Sequence, residues 1–474
     1  MRRFGHPDRS FRRIAVLILS LLGPVAPCLS AEASRTAPTS ANVILITISS
    51  LRAGHVSSLG YQRNTTPHFD AFARSSILFR NAYATSSWVM PVHGSIFTSL
   101  YPTEHGATHI EGKSLKPGHP TQAGILADRG YYCAGFCGNP HMTSETGLAR
   151  GFHSYDDFSV PALLTTMTSE RGEPVDVNRR RTNDVINSVV MKWLEHNQRR
   201  PFFLFVHYYD NHWDYCPPPP YATMFDPNYQ GPMDGTRIAR EPLYSNKPGD
   251  REVAHMVALY DGEVRQTDAD VGQLLDFLKG RGLFENSIVV VLGDHGEQFY
   301  EHGNTSHHGL YDELIHVPLA VSVPEMSGRP RIVDSLVSQV DLLPTVLDYL
   351  RVPAPVPCRG VSLLPLILGR RDTARPYILA EYTGSAVGDT ARPHILAEYT
   401  GGAVEDVFAI RSTRYKCLQE PGGRVFAYDL SADPEETRRL PPAQFPRDVQ
   451  DLAAVLACWT KTLIKEAPNV SPGR

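Results

Sequence analysis

Several short stretches carry side chains able to hold an ion and to act on an ester bound to it. In Gly293-Asp294-His295-Gly296-Glu297 a carboxylate and an imidazole stand side by side after an apolar run, and together they can hold a divalent ion at a rigid strand end. Taken alone, the same letters also fit a capping aspartate beside a surface histidine. His207-Tyr-Tyr-Asp-Asn-His212 sets two histidines around an aspartate, a grouping suited to an anionic ester, or to ordinary polar contacts at a strand end. The loop holding Glu301-His302 and His307-His308 offers an imidazole that can give a proton to a leaving-group oxygen. Ser86 to Ser99 reads as a loop entering a helix near Pro91, where free N–H groups and the helix dipole favour an anion. A nucleophile belongs at this turn, and the turn holds Val89.

The elements that must position these residues are legible from apolar runs. Asn42–Ile48, Phe202–Tyr208 and Ile288–Leu292 are continuous and β-rich, as strands buried on both faces are. Amphipathic patterns over Asn183–His196 and Val264–Leu278 predict helices between and around them. Strands alternating with helices predict an α/β fold, a largely parallel central sheet covered on both faces. Ligands of such sheets sit beyond the carboxyl ends of the strands. Ser49, His207 to His212 and Asp294-His295 all fall there, so stretches far apart in the chain converge on one edge.

Taken with their order, these stretches resemble the sulfatase family of the alkaline-phosphatase-like superfamily. The matching segments are Asn42–His55, Asn64–Asp70, Phe79–Pro102, Gly151-Phe152, Phe202–Tyr215, Gly293–Pro318, Asp341–Thr345, Arg414-Tyr-Lys416 and Tyr428–Glu436, collinear over about residues 40 to 440. The resemblance implies hydrolysis of a sulfuric ester, or a phosphoric ester in some relatives, around one divalent ion, often calcium. It also implies a formylglycine nucleophile made from Cys or Ser, or a plain hydroxyl. Here the nucleophile pattern falls on Val89-Met-Pro91-Val-His93, and valine has no nucleophilic atom and cannot become formylglycine; His93 keeps the cationic position.

By the same resemblance the first metal motif falls on Ile48-Ser49-Ser50-Leu51-Arg52-Ala53-Gly54-His55. Ser49 stands where a metal-binding aspartate is expected, with Ser50 beside it and Arg52 placed for the substrate. A serine hydroxyl is a neutral, weak ligand where a hard cation favours carboxylates. Asp294 and His295 stand at expected metal positions, while His207, His212 and His308 (or His307) stand for substrate-contacting and acid residues. Two readings follow. One is a sulfatase-type hydrolase, impaired or working through a substitute such as Ser86, Ser87 or Ser49. The other is a catalytically inactive sulfatase-fold protein that binds an anionic ligand such as a sulfated glycan.

At 474 residues the chain has room for two domains, and a formal charge of −4 gives no basic excess that would call for nucleic acid. Arg2, Arg3, Arg12 and Arg13 precede the apolar run Ile14–Leu22 and then small residues, the order of a secretory signal peptide over residues 1–33. The run is too short to span a bilayer, so the expectation is an exported protein, periplasmic or extracellular, with no membrane span after processing. The remaining cysteines, from Cys133 to Cys458, match no zinc or redox spacing, though Cys133 and Cys137 could face each other on a helix or across a loop.

Pro217 to Gly249 reads as a long surface excursion. The cluster Pro353–Pro357 suggests a boundary between a catalytic-type domain (40–355) and a smaller C-terminal α+β subdomain (356–474). Within the latter, residues 374–390 recur in tandem as 391–407 with 13 of 17 positions identical. Two copies are too few for a solenoid, so a local duplication accommodated as an extra loop or edge hairpin is expected.

Overall fold

A computed structural model describes residues 40–108, 114–157, 182–235, 247–326, 328–371, 375–383 and 406–466. The predicted leader and most of the tandem duplication lie outside the described residues.

The main sheet is built from β1 (Asn42–Ile48), β2 (Ile77–Tyr83), β3 (Tyr132–Cys137), β4 (Ser154–Asp156), β5 (Phe202–Tyr208) and β6 (Ser287–Gly293). After a two-stranded ribbon of β7 (Gln298–Phe299) and β8 (Thr305–Ser306) come β9 (His316–Ser322) and β10 (Arg331–Ser338). The eight-stranded order is β10-β2-β9-β6-β1-β5-β3-β4, parallel throughout except that β9 runs antiparallel to both of its neighbours. The three apolar runs of the sequence are the three central strands, each wholly buried.

Burial of both faces explains why these strands are apolar over most of their length, with Thr47 and His207 as polar exceptions near their carboxyl ends. Val43, Leu45, Phe203, Phe205, Ile288 and Val290 face one layer; Ile44, Ile46, Leu204, Val206, Val289 and Val291 face the other. The first layer is closed by helices α1 (Val89–Thr98), through Val92, Ile96 and Phe97, and α2 (Gln122–Ala127), through Ile125 and Leu126. The second is closed by α3 (Asn183–Asn197) and the long α4 (Asp250–Gly280). Pro67–Ala73 forms a short helix that also packs on this side through Phe69 and Phe72. A last helix of the main body, α5 (Leu342–Leu350), returns to the first layer.

α4 begins fourteen residues before the predicted start at Val264. Its first turns carry Met256, Leu259 and Tyr260 inward among charged residues, a stripe too sparse to stand out in sequence.

The C-terminal part is a four-stranded antiparallel sheet of β11 (Ile378–Tyr382), β12 (Val407–Arg411), β13 (Tyr415–Gln419) and β14 (Val425–Asp429), in that order. Helix α6 (Arg447–Glu466) covers it through Val449, Leu452, Leu456 and Trp459. The two bodies are riveted by a buried charge network: Lys416 Nζ donates to Asp312 Oδ1 at 2.9 Å and to Glu436 at 2.9 Å, and Arg411 Nε donates to Asp312 Oδ2 at 3.0 Å. The first repeat copy supplies β11, an edge strand paired to β12; its counterpart in the second copy lies outside the described residues.

Cys133 and Cys137 neither share a helix nor face across a loop. Both lie on β3, four residues apart and buried, and all six described cysteines are free thiols.

Candidate functional site

The carboxyl ends of β1, β3, β5 and β6 meet at one place, because parallel pairing sets Thr47 beside His207, Cys137 beside His207, and Ile48 beside Gly293. The chain turns sharply after β1. Ser50 takes a left-handed φ of 51°, uncommon for a residue with a Cβ, and its N–H thereby reaches Asp294 Oδ1 at 2.9 Å. The His295 N–H donates to the same oxygen at 2.6 Å. Gln339, from the end of β10, donates through Nε2 to the Asp294 carbonyl at 2.6 Å and fixes this turn from below.

Two buried imidazoles and a threonine form a directed chain across α1, β1 and β5. His93 Nδ1 lies 2.7 Å from the Val89 carbonyl, which can only accept, so Nδ1 carries the proton. Burial lowers the pKa of His93, the imidazole is neutral, and its Nε2 is therefore a bare lone pair. The Thr47 hydroxyl donates to that nitrogen at 3.0 Å. With its one proton committed, Thr47 Oγ1 accepts from His207 Nδ1–H at 2.8 Å. His207 is held well below the usual range, by burial first and then by His93, so its Nε2 is also bare. That nitrogen is buried without a partner, as are Asp294 Oδ2, Ser49 Oγ and Ser50 Oγ.

The position expected to carry a cation thus carries a neutral ring, because a charge at fully enclosed His93 has no water to solvate it. Arg52 is also unlike a free anion ligand: it donates to Glu301 Oε1 at 2.5 Å and to the Glu297 carbonyl at 3.1 Å.

Val89 is the first residue of α1, with Trp88 as its N-cap, and its side chain belongs to the buried layer between that helix and the sheet. Above it stands a group of histidine rings. His307 is 4.7 Å from His295 and 5.4 Å from His212 between ring centroids, and Trp88 meets His307 edge-on at 4.6 Å. His308 lies farther out, with Nδ1 3.2 Å from the Tyr382 hydroxyl. Burial holds His212 down at about 3 and His307 well below its ordinary value. Glu297 Oε1 lies 3.5 Å from His307 Nδ1, and burial pushes this carboxyl up to about 8.

Sequence reading missed Asn139 and His141, on the turn after β3. Asn139 is buried, its Oδ1 accepting from the His141 N–H at 2.8 Å, and His141 acts electrostatically on both His212 and His307. The signal available was Gly138-Asn-Pro-His141 directly after a β-rich run.

The donor set can be tested against an ion. His93, His207 and Asp294 bring three ligand atoms within 4.8 Å of one another, all buried. Orphaned lone pairs on His207, Asp294 and two serines are what a cation relieves. The set does not suit calcium, which prefers several carboxylate and carbonyl oxygens. Here a single carboxylate faces neutral hydroxyls and imidazole nitrogen.

Residues 41–352 match the Sulfatase family model, and residues 300–456 match the model for the C-terminal part of N-sulphoglucosamine sulphohydrolase. The chain belongs to the sulfatase family. It is similar to human N-sulphoglucosamine sulphohydrolase, 30% identical over 64% of this chain and 61% of that protein. A Bacteroides thetaiotaomicron Delta 4,5-hexuronate-2-O-sulfatase is 23% identical over 84% of each chain. Among solved structures, one in complex with its substrate D-glucosamine-2-N,6-O-disulfate superposes with a TM-score of 0.71 at 20% identity, over 91% of this chain and all of that one. The phosphonate monoester hydrolase of Silicibacter pomeroyi gives 0.70 at 21% identity, over 90% and 96%. These likenesses establish the mixed, mostly parallel sheet and the small antiparallel C-terminal sheet as the family's fold.

Proposed function

We propose that this chain is an exported sulfatase-family protein that binds a sulfated saccharide and does not turn it over through formylglycine. The observation that carries the reading is Val89 at the head of α1, where the family's nucleophile belongs. Valine offers no lone pair to attack sulfur, and removing a catalytic nucleophile costs many powers of ten in rate.

What remains is suited to recognition. The first turn of a ten-residue helix brings the N–H groups of Val89 and Met90, Pro91 having none, to its positive end, which favours an anion. His307 is a neutral ring with one N–H able to donate to an ester oxygen, whereas His212 gives its Nδ1–H to the Trp213 carbonyl at 2.9 Å and presents a lone pair. Asp294 alone would repel a sulfate, so binding requires a divalent ion between them; that ion, held by Asp294 and its neighbours, supplies the positive charge. The names of the relatives, which cleave N-sulphoglucosamine or a 2-O-sulfated hexuronate, support a sulfated sugar as the ligand class. Among the described residues no helix is long and apolar enough to cross a membrane.

A second reading, slow ester hydrolysis through a substitute nucleophile, is favoured by Ser87, whose buried hydroxyl has no hydrogen-bond partner two residues before Val89. Both readings meet one experiment. The purified chain is given aryl sulfate and aryl phosphate esters with calcium, magnesium, manganese or zinc, beside His295→Ala as the contamination control. Calorimetry with glucosamine-2-N,6-O-disulfate follows binding. Expected is binding without turnover. Turnover that disappears in His295→Ala would replace the binding reading by the second one, and absence of both binding and turnover would sink each.

A further inference from the structure

We infer that His93, His207 and Asp294 form a nitrogen-and-oxygen site for a first-row transition ion of the zinc type, in place of the calcium site that the family resemblance implies. The inference concerns the ion alone and stands whether or not a sulfated ligand binds.

Four observations converge on it. The hydrogen-bond chain His207 Nδ1–H to Thr47 Oγ1, Thr47 O–H to His93 Nε2, and His93 Nδ1–H to the Val89 carbonyl leaves each imidazole with its Nε2 as the lone-pair nitrogen. Metal-binding histidines are held in this way, the far nitrogen donating to a carbonyl or hydroxyl; His207 Nε2 is free to ligate, and His93 Nε2 becomes so once the Thr47 hydroxyl turns away. Next, His207 Nε2 and Asp294 Oδ2 are both enclosed and both without a partner, an arrangement that costs free energy unless something fills it. Third, the ligand atoms lie within 4.8 Å of one another, an opening that an ion bound at about 2.1 Å would draw together by small side-chain rotations. Fourth, the positions that would make the site hard are neutral: Ser49 and Ser50 bring hydroxyls only.

Ligand softness then decides the ion. Imidazole nitrogen suits zinc, cobalt, nickel and iron, whereas calcium and magnesium need carboxylate and carbonyl oxygen in number. Two imidazoles with one carboxylate is a three-ligand set that leaves a fourth position open. Thr47 changes partners on loading: its hydroxyl gives up the His93 Nε2 contact and keeps the one to His207.

The test needs no substrate. The full chain, stripped with chelator, is titrated with cobalt(II) and followed by visible absorption, and its melting is recorded with zinc and with calcium. Expected are one cobalt ion per chain with the bands of a low-coordinate nitrogen and oxygen site, displacement by equimolar zinc, and no displacement by a hundredfold excess of calcium. Zinc should raise the melting temperature and calcium should not. His207→Ala and Asp294→Asn should each abolish the bands. Should those variants misfold, His207→Asp is the informative one: with a second carboxylate the site should turn toward calcium and lose the cobalt bands. Calcium stabilisation of the parent without zinc stabilisation would overturn the inference, as would cobalt bands that survive in His207→Ala.

Discussion

Val89 packs its two methyl groups between α1 and the sheet, in the layer that also holds Val92 and Leu292. Its role is to fill space, so its loss should be felt in stability and not in chemistry. Val89→Ala removes two buried carbon groups at about 0.8 kcal/mol each, and urea unfolding should show a loss of roughly 1.6 kcal/mol. Affinity for glucosamine-2-N,6-O-disulfate should be unchanged. A drop in affinity would mean that position 89 shapes the ligand site. At this scale the sequence was informative about identity and silent about state. Ser49, Val89, Asp294 and His295 could be placed by motif, and the structure puts them at one edge. That His207 presents a bare Nε2 was not legible, because its tautomer is set by Thr47, His93 and the Val89 carbonyl, residues from other segments.

Elements were legible where burial is two-sided and runs are long. β1, β5 and β6 announced themselves as mostly apolar, β-rich runs, whereas the first turns of α4 did not, since charged residues interrupt the apolar stripe there. One of those charges is structural. Asp268 on α4 accepts from the His68 N–H at 2.8 Å and the Phe69 N–H at 2.7 Å, holding the N-terminus of the Pro67–Ala73 helix. Burial outweighs those two hydrogen bonds and raises its carboxyl from 3.8 to about 7. Between those values the folded chain holds a proton that the unfolded chain has released. Stability from this group is therefore full below about pH 4 and falls as pH rises toward 7. Asp268→Asn should flatten that part of the melting-temperature profile; an unaltered slope would show that Asp268 ionises normally.

The duplication gives a second test of elements. The first copy works through Arg375, just before β11, whose guanidinium pairs with Asp341, through Glu381, which accepts from the Thr103 N–H at 2.9 Å and Trp459 Nε1 at 3.0 Å, and through Tyr382 beside His308. The second copy offers the same letters at Arg392, Glu398 and Tyr399. Deleting residues 374–390 should leave a soluble chain whose melting temperature moves by no more than about 4 °C, the shift expected for about 1–2 kcal/mol in a protein of this size. Insoluble protein would mean that the copies are not interchangeable.

For the molecule as a whole, the joint between the two sheets rests on charge as well as on apolar packing. Lys416 is fully enclosed between Asp312 and Glu436. Lys416→Met leaves those carboxylates buried without their cation and should cost about 3–5 kcal/mol by chemical denaturation. A near-neutral result would mean that Arg411 alone compensates. The sequence suggested a smaller C-terminal unit from its proline cluster. It held no sign that a lysine in that unit would be buried against a loop of the other, because ion pairs between distant segments leave no periodicity.

The order of strands in the main sheet also has a consequence in time. β1 lies at the centre of the sheet, yet the partners on its two sides come late. Asn42 meets the start of β5 across 160 positions of chain and the start of β6 across 245. At a synthesis rate of roughly 5–20 residues per second, this buried strand emerges some tens of seconds before its second neighbour exists. Until then it is an open edge able to pair with any other chain. β1 waits for its second neighbour until β6 is made, so a long interval of exposure to misassembly precedes any chance of forming the candidate site.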